Sequence, residues 1–279
     1  MPAILLHLVS PIASCLLYAA LGVHFWRTRW RADEKPGLPL AMRPWERLSI
    51  LAAIVMQGAG LYWSLFGGGG MRFSFSLALS LMLWLAVLIY WLESFRSRME
   101  GLQPMVLPLA ATCSVLPAFF PQMHWIAYAE AWGFKFHFLA AMLAYSLFTL
   151  SALHAAFMSF VERKLHRGRF DSNLASLPPV LAMENLLFRM ITVAFTLLTL
   201  TLASGLGFSE AIFGKAFVLD HKTLFAFMSW MIFAALLVGR HAYGWRGRIA
   251  LRWTMTGFLV LLLAYVGSRF VSEVLLGRI

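Results

Sequence analysis

Charge is what this 279-residue chain has least of: 13% of its residues are Asp, Glu, Lys or Arg, where a soluble domain has about 25%. With 61% hydrophobic residues beside so few charges, one water-soluble core cannot absorb the apolar excess. Acidic residues are scarcer than basic ones, 12 against 23, for a net charge of +11. Cysteine is limited to Cys15 and Cys113, each inside an apolar run and neither in C-x-x-C or metal-ligand spacing, which argues against thiol redox chemistry. No Asp, Glu, Lys or Arg falls near the middle of an apolar run, Glu93 and Arg189 lying close to run ends. A proton pump or ion-coupled transporter generally needs a midplane charge or a broken helix, so that class is disfavoured. No basic segment precedes the first apolar run, which ends in Arg27, Arg29 and Arg31. It reads as a retained span and not a cleaved signal peptide. Internal repeats and low-complexity tails are missing as well.

What is present is a series of apolar runs of about twenty residues, the length a helix needs to cross hydrocarbon. They cover 4–26, 46–66, 72–95, 102–120, 137–159, 188–208, 222–239 and 252–274. The expected fold is therefore all-α, a polytopic membrane bundle of about eight transmembrane helices forming one integral membrane domain over 1–279. Pro104, Pro108 and Pro117 should kink or fray the fourth helix. Gly67 to Gly70 should form a turn, and Ser176-Leu-Pro-Pro179 should break the chain before an amphipathic lead-in from Val180 to Leu187. Seventeen of the Lys and Arg residues fall in alternate connections on one side of the bundle; only Arg72, Lys135, Lys215, Lys222, Arg269 and Arg278 fall on the other. By the positive-inside rule the first side is cytoplasmic, and an even span count puts both termini outside. The basic residues form short clusters and no stripe, so the expected partner is membrane lipid and not nucleic acid.

Histidine carries the chemical interest, because neutral imidazole tolerates a semi-apolar site and ligates haem iron. His137 opens the fifth run and His221 precedes the seventh, so both should lie at the outer boundary at similar depth. His7 and His124 also belong to that side, whereas His24, His154, His166 and His241 belong to the cytoplasmic side. His137 and His154 stand 17 residues apart in one run, about 25 Å along a helix, and cannot share one iron. A lone interfacial histidine is ordinary; two at one depth on separate helices suggest a ligand pair. The segment from Phe119 to Phe136 adds Phe120, Trp125, Tyr128, Trp132 and Phe134. These aromatics form either an interfacial belt or a platform for a planar apolar ligand.

Several segments in one order then resemble the cytochrome c assembly membrane proteins. They are Lys135-Phe-His137 with Tyr145-Ser, Leu177-Pro-Pro179, Met183-Glu184, Phe188-Arg189, Thr199-Leu-Thr201-Leu-Ala-Ser-Gly205, Asp220-His221-Lys222-Thr223, Trp230, Gly244-Trp245-Arg246-Gly247-Arg248 and Tyr265-Val-Gly267. The resemblance covers 130–274 as an assembly core and is similar to the HemX-like branch that includes the YpjD proteins. It implies a bacterial inner (plasma) membrane protein that handles haem at the outer face. The partners it implies are other cytochrome c assembly proteins or an apocytochrome.

By motif, His137 matches the family's first external histidine, while Asp220 and Lys222 match the end of its tryptophan-rich haem motif. Phe217-Val-Leu219 stands where that motif's tryptophans would be, and the last run lacks the second external histidine. On this reading His137 and His221 are the axial ligands of a haem b, Lys135 and Lys222 pair with its propionates, and Trp125 and Trp132 pack on the ring. The chain would be a carrier or assembly factor and not a catalyst with turnover. Two readings without haem fit the same topology: an accessory membrane subunit of an ion or metal efflux system, and a membrane scaffold for assembly.

Overall fold

The computed structural model describes residues 2–30, 42–67, 70–97, 99, 101–120, 124–126, 129–166, 179–213 and 221–267. Eight α-helices are present among them: α1 Pro2–Phe25, α2 Pro44–Phe66, α3 Phe75–Glu93, α4 Gln103–Phe119, α5 Trp132–His166, α6 Val180–Phe213, α7 His221–Tyr243 and α8 Arg248–Leu262. Hydrocarbon offers a peptide group no hydrogen-bond partner, so each apolar run must satisfy its own backbone. Six of the helices are long and apolar enough to cross a membrane; α4 is a shorter apolar helix of 17 residues. Helix α8 continues through a π-helical turn, Leu263–Gly267. The chain is an all-α membrane bundle, with large side chains such as Leu16, Leu48, Val55 and Val238 exposed on its outer surface. The Ser176 to Pro178 break and the last seven residues of the expected eighth span lie outside the described residues.

The boundaries differ from the sequence expectation where tertiary contacts decide them. Arg72 and Phe73, expected in the third span, instead form a short antiparallel ladder with His124 and Trp125, Arg72 opposite Trp125 and Phe73 opposite His124. Helix α3 then starts after Ser74, whose hydroxyl accepts from the Leu77 amide at 3.3 Å, the usual function of an N-cap serine. Val180 to Leu187 is the first part of α6 and not a separate element. Helix α4 runs unbroken through Pro108 and Pro117, and Pro108 packs 3.0 Å from where a Cβ on Gly22 of α1 would lie. At Gly101 the backbone turns with φ 94°, and a Cβ there would meet Phe157 at 2.5 Å. Only glycine suits both the conformation and the space. Helices α5 and α6, of 35 and 34 residues, are each about 50 Å long, more than the roughly 30 Å of hydrocarbon, and they pack on one another.

Four carboxylates tie helix ends together at one end of the bundle. Glu46 of α2 binds His24 Nε2 at 3.0 Å and Arg29 Nη2 at 3.2 Å and accepts the Arg43 amide at 2.7 Å. Arg29 belongs to the π-helical turn Trp26–Trp30 that follows α1. Glu93, at the end of α3, pairs with Arg189 of α6; Glu184 of α6 pairs with Arg240 of α7 at 2.6 Å; Glu162 of α5 pairs with Arg248 of α8 at 2.8 Å. Tryptophan indoles add tethers to backbone carbonyls: Trp84 to Ile54, Trp91 to Arg47 and Trp30 to Gly101, at 2.7, 3.0 and 3.0 Å.

The pairs differ in burial, and so in what removing one partner costs. Both side chains of the Arg29–Glu46 pair are 3% exposed, whereas those of Arg248 and Glu162 are 60% and 29% exposed. Glu46→Ala takes its carboxylate partner from a buried guanidinium and should cost about 3–5 kcal/mol, while Glu162→Ala should cost about 1 kcal/mol or less. Thermal unfolding in detergent measures both, and equal shifts would contradict this ranking.

Candidate functional site

His137 sits just over one turn inside the start of α5, half-buried and turned toward α6. Its Nδ1 lies 3.0 Å from Ser204 Oγ, and Ser204 Oγ is also 3.0 Å from the Thr201 carbonyl. That hydroxyl has one hydrogen, and a carbonyl can only accept. Both bonds form together only when Ser204 donates to Thr201 and accepts from His137 Nδ1–H. In the neutral form of this ring the lone pair lies on Nε2, and the Thr201 carbonyl is a second acceptor within hydrogen-bonding reach of the imidazole. A Cβ at position 205 would come within 3.3 Å of His137 Cε1, so Gly205 provides the room in which the ring lies. A ring nitrogen oriented by a hydrogen bond on the other side is how proteins prepare a histidine to ligate.

The other described histidine rings are engaged structurally. His24 binds Glu46, as above. His154, buried in α5, bonds the Met183 carbonyl through Nε2 at 3.0 Å, and His241 bonds the Leu237 carbonyl of its own helix through Nδ1 at 3.0 Å. The side chains of His7, His124, His166 and His221 lie outside the described residues.

Of the remaining expected site residues, Asp220 lies outside the described residues, and His221 is described as the first backbone position of α7. Lys222 follows it, half-buried and already engaged with a partner. Lys135 is exposed and pairs with Glu130 at 3.5 Å. Trp125, on the strand, is 62% exposed, with the Arg72 guanidinium 5.6 Å from its ring centroid; Trp132, at the start of α5, is 86% exposed. The aromatic segment divides in two. Phe120 packs edge-on against Phe75, and Phe134 stacks on Phe138, so both serve the fold. Phe119, Trp125, Trp132 and Phe136 stay exposed, and Tyr128 lies outside the described residues. Among the described residues no three His, Cys, Asp or Glu side chains assemble into a metal-ion site.

Helix α7 is registered against α6 by Trp230, whose indole N–H donates to Thr199 Oγ1 at 2.9 Å and whose ring stacks on Phe195 at 5.5 Å. Phe148 of α5 stacks on Phe233 of α7 at 4.0 Å. Ser229 of α7 donates to the Gly257 carbonyl of α8 at 2.9 Å.

The segments quoted from the sequence thus separate into two sets. Glu184, Arg189 and the turn Gly244 to Arg248 brace the bundle at the end remote from His137. In that turn the Trp245 amide bonds Gly239 at 3.1 Å, and the Arg240 guanidinium lies over Phe188 at 4.5 Å. Ser204 and Gly205 were legible only as the tail of a quoted run. Their signal was a small polar and a glycine residue at the end of a span facing the start of α5, and the contact with His137 gives them a role.

The family model described as cytochrome C assembly protein matches residues 45–276. The inner membrane protein YpjD of Escherichia coli is 27% identical over 246 residues, covering 86% of this chain and 92% of that protein. A cytochrome c biogenesis protein CcsA from Prochlorococcus marinus is 40% identical over 90 residues, which is 32% of this chain and 29% of CcsA. No solved structure matches. With a match over most of its length, the chain belongs to the cytochrome C assembly protein family.

Proposed function

We propose that this protein binds haem b at the end of the bundle that carries the starts of α5 and α7 and the end of α6, and holds it there for cytochrome assembly, as a carrier and not as an enzyme. The observation that carries the reading is the half-buried His137 ring near the start of α5, with Nδ1 held by Ser204 and Gly205 leaving room beside it. A neutral imidazole so oriented fits axial ligation of haem iron, which histidine ligands hold in both common oxidation states. Family membership and the CcsA relative support haem over another planar ligand.

His221 is the proposed second ligand. From the facing pair Thr199 and Trp230, Ser204 lies five residues onward in α6 and His221 nine residues back in α7, about 8 Å and about 14 Å along their axes. The two helix positions thus differ in depth by about 6 Å. Lys135, Lys222 and Asp220 would set the charge around the propionates, and exposed Trp125 and Trp132 would cover the ring faces or edges. The excess of Lys and Arg on the other side puts this end outside the cytoplasm, and the relative YpjD is named as an inner membrane protein. Both termini then face the same outer compartment, the bacterial inner membrane is the location, and other assembly proteins or an apocytochrome are the partners.

The native chain, purified in mild detergent, should show a Soret band or acquire one on adding haemin. His137→Ala with His221→Ala should abolish it while helical circular dichroism stays unchanged; a colourless native protein that takes up no haemin would refute the reading. Ser204→Ala, which removes the acceptor of Nδ1–H, should weaken haemin binding by about 10- to 100-fold in a titration, with His241→Ala at the far end as the unaffected control. For orientation, a cysteine at Trp132 should react with a membrane-impermeant maleimide added outside intact spheroplasts, and one at Lys164 should not. The opposite pattern would invert the topology.

A further inference from the structure

We propose that the end of the bundle opposite His137 carries a specific binding site for the phosphate group of an anionic glycerophospholipid. A cleft of about 510 Å³ opens there between the last turns of α5 and the first turns of α8, lined by Glu162, Arg163, Arg248, Arg252, Leu251 and Met255 among others. His137 and Arg163 are 26 residues apart on one helix, about 39 Å at 1.5 Å per residue, so the cleft sits at the far rim of the membrane. Three guanidinium groups line it against a single carboxylate, Glu162, which is already bonded to Arg248 at 2.8 Å. Arg163 and Arg252 are exposed, and among the described residues neither has an ion-pair or hydrogen-bond partner. Planar, weakly hydrated guanidinium pairs recognise phosphate oxygens in bidentate fashion, and basic clefts between helices at this depth suit phospholipid headgroups.

The occupant is read from what continues beyond the arginines. Arg252, Thr256, Leu259 and Leu263 are exposed and follow one another at four, three and four residues, which places them on one face of α8 and its π-helical extension. Leu259 is 56% exposed and Leu263 52% exposed. The track runs from a guanidinium at the rim toward the membrane interior over about 16 Å, the scale of an acyl chain. A soluble phosphate would use the arginines and gain nothing from Leu251, Met255 or this apolar track. A lipid uses both, and the buried Leu251 and half-buried Met255 give the cleft an apolar floor beside its charged mouth.

Native mass spectrometry of the full chain released from detergent tests this, with dioleoyl phosphatidylglycerol as the probe and dioleoyl phosphatidylcholine as the uncharged-headgroup comparison. Phosphatidylglycerol should be retained selectively, and R163Q with R252Q should reduce its retention by about tenfold or more. R27Q with R96Q, which removes two exposed arginines of the same end outside the cleft, should leave it unchanged. Excess inorganic phosphate should not displace the lipid. Equal losses in the two double variants, equal retention of phosphatidylcholine, or displacement by inorganic phosphate would overturn the proposal, the last by assigning the cleft to a soluble anion. Should the double variant lose its helical spectrum, the single exposed charge reversal R252E makes the same comparison.

Discussion

Hydrocarbon gives a stranded charge or peptide group nothing to bond to, and the ion pairs at one rim of this bundle follow from that constraint. Glu46, Glu93, Glu184 and Glu162 each meet an arginine from another element, joining the turn after α1 to α2, α3 to α6, α6 to α7, and α5 to α8. The basic excess at this end is therefore more than a topology signal. Several of its guanidinium groups are structural fasteners, and the buried one, Arg29 against Glu46, determines how the chain leaves α1. Between membrane helices lipid supplies no hydrophobic driving force, so close packing and polar contacts such as these must hold the interfaces.

The opposite end is built differently. Its described polar contacts are mostly hydroxyl and imidazole groups, with one exposed ion pair, Lys135–Glu130. A carboxylate on His137 would favour a charged imidazolium, which has no lone pair to offer. Ser204 orients the ring without adding charge, and Gly205 leaves space beside it. The long antiparallel helices α5 and α6 deliver both halves of that contact, since Ser204 lies 67 residues beyond His137 in the chain. The small apolar cluster of Leu61, Leu65, Met71, Phe73, Leu77, Ala78 and Met142, with Phe134 and Phe138 packed on it, steadies the start of α5 from the other side.

Family membership sits comfortably with this division. The residues that brace the far rim, Glu184, Arg189 and the Gly244 to Arg248 turn, serve the architecture. The candidate site residues His137, Ser204 and Gly205 lie near a helix start and a helix end, away from that rim.

Length and polarity of the apolar runs alone determined the membrane class, the helical fold and most helix positions, because a backbone in lipid has few alternatives to the helix. His137 was also readable, since a histidine at the start of a span stands out against an apolar background. The small ladder of Arg72–Phe73 with His124–Trp125 was not readable, as two-residue strands carry no periodicity. Nor were the partners of Glu46, Glu93 and Glu184, or the pairing of His137 with Ser204: each joins residues 17 to 96 positions apart. Which side chains share a face across two helices depends on their rotation and relative register. Those are set by packing between surfaces, and local sequence does not encode them.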